Sequence, residues 1–200
     1  MPDRDKKLQC LIDATEAGIL ARAADYSDAM VMAEQIFSAL KNPGGLDTKE
    51  PPARLEACGH LENAYRQASR GPEPIPALRD AFAAIEPALA WSRRPKSAQV
   101  AEDFYDNHAN AIIVGEGGLE TRRDVRIGVS LLAPEIVYPR HHHPPEELYL
   151  VLSPGEWMQN DGPMVAKRAG YLVHNPPNVW HAMQASKTPL LAIWCLWIGN

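Results

Sequence analysis

The 200-residue sequence contains only three cysteines, Cys10, Cys58 and Cys195, an odd number at wide spacing. A secreted domain held by disulfides needs closely spaced cysteine pairs, so this usage favours reduced, mostly buried thiols in a cytoplasmic protein. The polar N-terminus carries no apolar run followed by a small-residue cleavage site, and we therefore expect no signal peptide.

Long apolar runs and basic surfaces are also missing. No stretch approaches the roughly 20 apolar residues that span a bilayer, which argues against a membrane protein. The net charge is −5, with 13 basic and 14 acidic side chains in residues 1–100 and 7 and 11 in residues 101–200. Neither half has the basic excess that nucleic acid or an anionic membrane would attract. We expect a small-molecule partner and a monomer or homodimer.

The spacing of apolar residues changes near the middle of the chain. In residues 4–90 apolar residues recur every three or four positions, which predicts helices. Four helices are predicted: Asp5–Ala23, one capped by Ser27 and stopped by Pro43-Gly44-Gly45, Pro52–Ser69, and Pro76–Glu86.

From about residue 110 short extended runs predict a sandwich or barrel of about 90 residues. Seven strands are predicted: Ala111–Val114, Val125–Leu132, Glu146–Leu152, Glu156–Gln159, Tyr171–His174, Val179–Gln184 and Leu190–Trp197. We expect a helical region in residues 1–100 and a barrel in residues 105–200 that form one compact unit.

A row of leucines connects the two regions. Leu148, Leu150 and Leu152 alternate along one predicted strand with Glu147 and Tyr149. If the latter pair faces the barrel interior, the leucines face outward, and such a row is not left in water. Either the N-terminal helices or a second subunit covers it, and we favour the helices because each has an apolar stripe to bury.

A histidine triplet marks the chemically richest part of the sequence. If it lies on a strand, His141 and His143 face one side and His142 faces the other. Glu147 follows after three intervening residues, and His181 comes 34 positions later. Two alternating imidazoles, a carboxylate and a distant fourth ligand can surround one divalent metal ion. Pro144-Pro145 leaves one alternative open, because a register shift of one residue there would put Glu146 in place of Glu147.

Tyr149 lies two residues after Glu147 and shares its face of a regular strand. It would then lie beside the metal ion, and an acid/base group next to a Lewis acid suggests an enzyme.

Two motifs in this half resemble those of the cupin superfamily. The first, H-x-H-x(3,4)-E, matches His141-x-His143-x3-Glu147. The second, G-x5-P-x-G-x2-H-x3-N, matches Gly170, Pro176 and His181, with Asn178 in place of glycine and Ala185 in place of asparagine. The resemblance implies an α+β protein, with an N-terminal helical layer packed on a C-terminal cupin barrel, the double-stranded β-helix or jelly roll.

A finer resemblance adds two tyrosines. The pattern Tyr138-x2-His141-x-His143-x3-Glu147-x-Tyr149, followed by His181, resembles the cupin dimethylsulfoniopropionate (DMSP) lyases. Chain length and the helical half are most similar to the Q-type members. The resemblance implies cleavage of DMSP to dimethyl sulfide and acrylate, with His141, His143, Glu147 and His181 around the metal ion. It implies Tyr149 as the general base and Tyr138 as a second hydroxyl, both contacting the substrate.

Several alternatives stay open at the level of sequence. Mixed nitrogen and oxygen ligands suit zinc, iron, manganese, cobalt and nickel alike. Tyr149 could itself bind the metal ion, which would leave Tyr138 as the base. An iron-dependent cupin dioxygenase would use the same ligands, whereas in a non-enzymatic small-molecule-binding cupin the metal site would be dispensable.

Other side chains near the motifs carry weaker expectations. His142, His174 and Arg140 are expected at structural or solvent-exposed positions. Trp180, Trp194 and Trp197 are candidates to face a sulfonium cation, because aromatic rings attract onium groups.

Overall fold

In the computed structural model, residues 4–22, 27–45, 50–95 and 102–199 are described, and helices precede strands along the chain. The helices are α1 Lys6–Leu20, α2 Ser27–Leu40, α3 Leu61–Ala68, α4 Ile75–Ile85 and α5 Glu102–Asp106. The Asp5 carboxylate accepts the backbone N–H groups of Lys7 and Leu8 and so caps α1, while the predicted end of this helix at Ala23 lies outside the described residues. None of the helices in the described ranges has the length and apolar character needed to cross a bilayer.

The prediction of one helix over Pro52–Ser69 is wrong. Ala53 forms a bridge with Ala90, so the chain is still extended there, and residues Glu56–His60 form a 3₁₀ turn before α3 begins. Gly59 within this segment disfavours a continuous α-helix, which apolar spacing alone does not register. The short helix α5 was not predicted, whereas α4 agrees with the predicted range to within one residue at each end.

Nine strands form the C-terminal half of the described chain. They are β1 His108–Val114, β2 Val125–Leu132, β3 Val137–His141, β4 Glu146–Val151, β5 Gly155–Gln159, β6 Val165–Lys167, β7 Leu172–Asn175, β8 His181–Ala185 and β9 Leu190–Trp197. A five-stranded sheet of order β1-β2-β9-β4-β7 faces a four-stranded sheet of order β3-β8-β5-β6, and all pairs are antiparallel. The predicted helical layer on a cupin double-stranded β-helix is therefore confirmed.

The seven predicted strands are all present, and two further strands were missed. β3 contains Pro139, which cannot donate to a strand ladder, and β6 is a three-residue strand with two exposed side chains. Neither stands out as a short extended run of the kind from which the other strands were predicted.

The helices bury the outer face of the five-stranded sheet, as the leucine row suggested. Leu148, Leu150 and Leu152 are fully buried and belong to one apolar cluster with Leu11 of α1 and other helix residues. Gly18 of α1 packs directly against Leu150: a Cβ atom at this position would be only 2.6 Å from Leu150 Cδ2. The absence of a side chain at Gly18 therefore allows the helix to lie close to the sheet.

Leu150→Ala is expected to lower the free energy of unfolding by about 2–5 kcal/mol, because a cavity would remain between α1 and β4. Urea denaturation followed by circular dichroism measures the change. Val31→Ala is the control, since Val31 of α2 is 69% exposed and its truncation should change stability by less than about 0.5 kcal/mol. Equal destabilisation by the two variants would contradict this description of the interface.

Candidate metal centre and active site

The predicted site residues come together from four parts of the barrel. Tyr138 and His141 lie on β3, His143 follows that strand, Glu147 and Tyr149 lie on β4, and His181 begins β8. A cavity of about 450 Å³ is lined by all of these except His181, which is buried at 2% exposure.

The pairing of β3 with β8 explains how Tyr138 and His141 reach the same cavity. His141 pairs with His181 and Tyr138 pairs with Met183, so β3 contains one residue more than β8 over this interval. This bulge surrounds Pro139, and it turns two side chains that are three positions apart toward one face. His143 lies beyond the end of β3, so the prediction that it alternates with His141 on a strand is wrong, although the two rings still converge.

The three imidazoles present their ring nitrogens to one another. His141, His143 and His181 each offer a nitrogen, and these atoms all lie within 4.8 Å of one another. Each Nδ1 lies against a backbone carbonyl oxygen two residues away, at Pro139 (2.8 Å), Pro145 (2.9 Å) and Val179 (3.0 Å) respectively. A carbonyl oxygen only accepts, so Nδ1 carries the proton and Nε2 keeps its lone pair in each neutral ring. This is the tautomer in which histidine binds a metal ion through Nε2.

Glu147 adjoins two of these nitrogens. Its Oε2 lies 3.2 Å from Nε2 of His181 and 3.4 Å from Nε2 of His143. Burial alone would raise the pKa of Glu147, but the neighbouring imidazoles of His143 and His181 outweigh it and lower this pKa. The side chain is therefore an ionised carboxylate at neutral pH.

The donor set fits a divalent cation. Nε2 of His181 is buried and has no hydrogen-bond partner among the described residues, although a carboxylate oxygen lies 3.2 Å away. A lone pair and an anionic oxygen at this distance repel each other unless a proton or a metal ion lies between them. Three neutral imidazoles and one carboxylate are ligands that zinc and neighbouring transition metals accept.

Protonation competes with metal binding at these rings. Burial and the charge of His181 lower the pKa of His141 to about 3, so this ring is neutral over the physiological range. The carboxylate of Glu147 raises the pKa of His143, so this ring retains a proton to higher pH when no cation is present. Metal affinity should therefore fall as the pH is lowered through the titration of His143.

Both candidate hydroxyl groups are buried beside this cluster. Tyr149 is 3% exposed, and burial followed by the charge of Glu147 raises its pKa well above the ordinary value in the absence of a cation. Tyr138 lies with its ring centroid 4.9 Å from that of His141, and burial raises its pKa while the charge of Arg94 opposes the shift. Both are therefore neutral phenols at physiological pH unless a positive charge is added nearby.

The neighbouring side chains occupy other positions, as expected. His174 Nε2 pairs with Glu146, so Glu146 is held away from the histidine cluster and the register of Glu147 is the predicted one. His142 is exposed and stays outside the group of converging nitrogens, although it lines the cavity, and Arg140 forms an ion pair with Asp161 at the surface.

The three candidate tryptophans differ in placement. Trp194 lines the cavity, whereas Trp180 is 41% exposed and packs against His142. Trp197 packs against the apolar cluster beneath the helices. Of the three, Trp194 is therefore the one available to a ligand in this cavity.

Asn175 supports the candidate metal ligand and was missed in the sequence. Its Nδ2 donates to Glu147 Oε2 at 3.0 Å, and its Oδ1 accepts from Gln159 Nε2 at 2.7 Å. Asn175 pairs with Glu147 in the register of β4 with β7, a relation between strands that is not visible before the sheet is known.

Asn175→Ala is expected to weaken metal binding by roughly 10–100-fold, because a partner that orients a ligand is lost. Competition with a chromophoric chelator measures the change. Asn63→Ala is the control, since the Asn63 side chain in α3 contacts Gln67 in the helical layer rather than a site residue. Equal metal affinity of the Asn175 variant and wild type would show that this hydrogen bond does not orient Glu147.

Comparison with known proteins identifies the family of this chain. Residues 29–192 match the family described as dimethylsulfoniopropionate lyase. The curated DMSP lyase DddQ of Ruegeria pomeroyi is 30% identical over 125 residues, which cover 62% of this chain and 62% of that protein. The matched region thus spans less than two thirds of that relative.

Solved structures of DMSP lyases have a similar fold. A structure of the DMSP lyases RdDddP and RnDddQII superimposes with a TM-score of 0.67 at 23% identity, over 96% of this chain and 92% of the other. DddQ from Ruegeria pomeroyi DSS-3 superimposes with a TM-score of 0.66 at 22% identity, over 96% and 92%. At this identity the likeness concerns the fold, while the family match covers most of the sequence. The chain belongs to the DMSP lyase family.

Proposed function

We propose that this protein is a carbon–sulfur lyase that cleaves DMSP to dimethyl sulfide and acrylate by metal-assisted β-elimination. The observation that carries the proposal is the convergence of three imidazoles and Glu147 beside the buried hydroxyl-bearing side chain of Tyr149. Family membership supports the substrate, since the relative DddQ is named for the same reaction.

The reaction sets three requirements on the site. A base must remove the proton on the carbon next to the carboxylate, the developing negative charge must be stabilised, and the sulfonium must leave as a neutral sulfide. A divalent ion would be held by His141, His143, Glu147 and His181, and zinc, iron, manganese, cobalt and nickel all accept these ligands. When bound, that ion would act as a Lewis acid on the substrate carboxylate and favour ionisation of the neighbouring phenol.

Tyr149 is the proposed general base. In the proposed step its phenolate oxygen takes the proton from the α-carbon and becomes a neutral phenol. The electrons of that C–H bond form the C=C bond of acrylate, and the C–S bond breaks with its electron pair on sulfur, which leaves as dimethyl sulfide. Burial of Tyr149 keeps water from competing for the proton. Burial and the charge of Glu147 raise the pKa of Tyr149, so the phenolate would form only if the positive charge of a bound cation outweighed both effects.

Tyr138 is the proposed second hydroxyl of the cavity. Its ring packs between Phe104 and His141, so the hydroxyl has a fixed position for contact with the substrate. If Tyr149 is instead a ligand of the metal ion, Tyr138 becomes the base, and comparison of the two Tyr→Phe variants separates these roles.

One assay tests the proposal. Purified protein is incubated with DMSP, and dimethyl sulfide in the headspace and acrylate in solution are measured with and without a chelator. We expect the two products in equal amounts and their loss on chelation. Oxygen consumption without sulfide release would favour a dioxygenase, and absence of turnover in metal-loaded protein would favour a binding protein. Either result would contradict the proposal.

A further inference from the structure

The cavity beside the candidate metal centre has more positive than negative side chains. Three arginines line it, Arg93, Arg94 and Arg126, against the single carboxylate of Glu147. We propose that Arg94, held in place by His108, binds the carboxylate of a small monocarboxylate ligand, with Arg126 as a second cationic group. The identity of this ligand as DMSP rests on the proposed function. The anion site itself is inferred from the arginine side chains alone.

The backbone of Arg94 is anchored to the barrel through a buried histidine. The N–H of Arg94 donates to Nε2 of His108 at 2.8 Å, and Nδ1 of His108 lies 2.7 Å from the carbonyl oxygen of Phe104. The ring of His108 is fully buried and stacks on that of Phe104, with centroids 3.9 Å apart and an interplanar angle of 10°. Since Nδ1 must donate to a carbonyl, Nε2 is an acceptor and fixes the chain at Arg94. His108 is thus a positioning residue.

The guanidinium of Arg94 lies beside the proposed catalytic groups. Its Cζ is 5.6 Å from the ring centroid of Tyr138, whose own ring contacts His141. Arginine presents a planar fork of N–H donors that matches the two oxygens of a carboxylate. A carboxylate has about four lone-pair directions, so binding to a guanidinium leaves others free for a cation.

Neither Arg94 nor Arg126 forms an ion pair with a carboxylate in the described part of the chain, whereas Arg93 contacts Asp106 at 3.4 Å. Nε of Arg126 is buried without a hydrogen-bond partner there, and so is Nε of Arg93 despite the contact with Asp106. A buried donor on a cationic group is costly when it has no partner. An anionic ligand in the cavity would supply an acceptor for these donors and a countercharge for Arg94, whose side chain hydrogen-bonds to Tyr138.

This arrangement also determines the orientation in which a zwitterion binds in the cavity. The carboxylate lies at the arginines, and the sulfonium is kept away from them because like charges repel. A sulfonium compound without a carboxylate should therefore bind poorly, although it has the same leaving group.

The test uses propionate as the anionic probe and propionamide as its neutral counterpart. Binding of each to Arg94→Gln, Arg94→Lys and wild-type protein is measured by calorimetry, before and after chelator treatment. Arg66→Gln is the matched control, because Arg66 is exposed on α3 and its replacement changes the net charge by the same amount. KM and kcat for DMSP are measured on the same samples.

Arg94→Gln is expected to weaken propionate binding about tenfold or more and to raise KM for DMSP more than it lowers kcat. Arg94→Lys should lie between it and wild type, propionamide binding should not change, and Arg66→Gln should match wild type in all measurements. Unchanged propionate affinity in Arg94→Gln, or an equal loss for propionamide, would overturn the proposal. Loss of propionate binding in a protein that does not cleave DMSP would support the anion site and contradict only the proposed function.

Discussion

Tyr149→Phe is expected to lower kcat for DMSP cleavage by roughly 10²–10⁴-fold, the contribution that a positioned base makes to proton abstraction. The variant keeps the ring that fills the barrel interior against Trp157 and removes only the oxygen. Metal content should stay at the wild-type level, because the proposed ligands are His141, His143, His181 and Glu147. Headspace dimethyl sulfide gives the rate, and elemental analysis of the same sample gives the metal content.

Tyr171→Phe is the matched control for this experiment, since Tyr171 is 42% exposed and removal of its oxygen leaves the cavity unchanged. Wild-type activity in Tyr149→Phe would exclude this residue as the base. Loss of activity together with metal would identify Tyr149 as a ligand, and Tyr138→Phe would then be the variant that retains metal but not turnover.

His181→Ala is expected to remove metal binding and activity together. The loss of affinity should exceed the roughly 100-fold effect of removing a group that only orients a ligand. The reason is local, since His181 contributes the buried Nε2 that has no hydrogen-bond partner in the described residues and lies 3.2 Å from Glu147 Oε2. Without the imidazole, the carboxylate keeps Asn175 as a donor but loses a neighbour that favours its ionised form.

His142→Ala is the control for the His181 variant. His142 belongs to the same triplet as two proposed ligands and also lines the cavity, yet it is exposed, packs against Trp180 and is not one of the three histidines whose nitrogens converge. Its replacement should leave metal content within error of wild type. Full metal content in His181→Ala, or equal losses in the two variants, would remove His181 from the proposed ligand set.

The sequence predicted the parts of this protein that follow from local periodicity and from fixed spacing. Apolar spacing located α4, and the alternation of leucines with Glu147 and Tyr149 predicted both the interior face of β4 and its cover of helices. The two cupin motifs predicted that the three histidines lie near Glu147. The motifs succeed because β3 pairs with β8, which places His141 opposite His181.

Features that depend on contacts between distant segments were not predicted. The bulge at Pro139 brings Tyr138 to the cavity, and regular alternation would have placed it on the opposite face from His141. The bond from Arg94 to His108 joins a segment before the barrel to its first strand, and no local pattern marks it. The bridge of Ala53 to Ala90 keeps the chain extended where a helix was predicted, and this contact is likewise made with a distant segment.

The most direct measurement is an anomalous-diffraction map of crystals grown with one metal ion and recorded at its absorption edge. The structure predicts a single strong peak within bonding distance of Nε2 of His141, His143 and His181, with Glu147 as the oxygen ligand. A peak at another location, or an occupied site from which the ring of His181 is turned away, would contradict the metal centre on which the proposed chemistry depends.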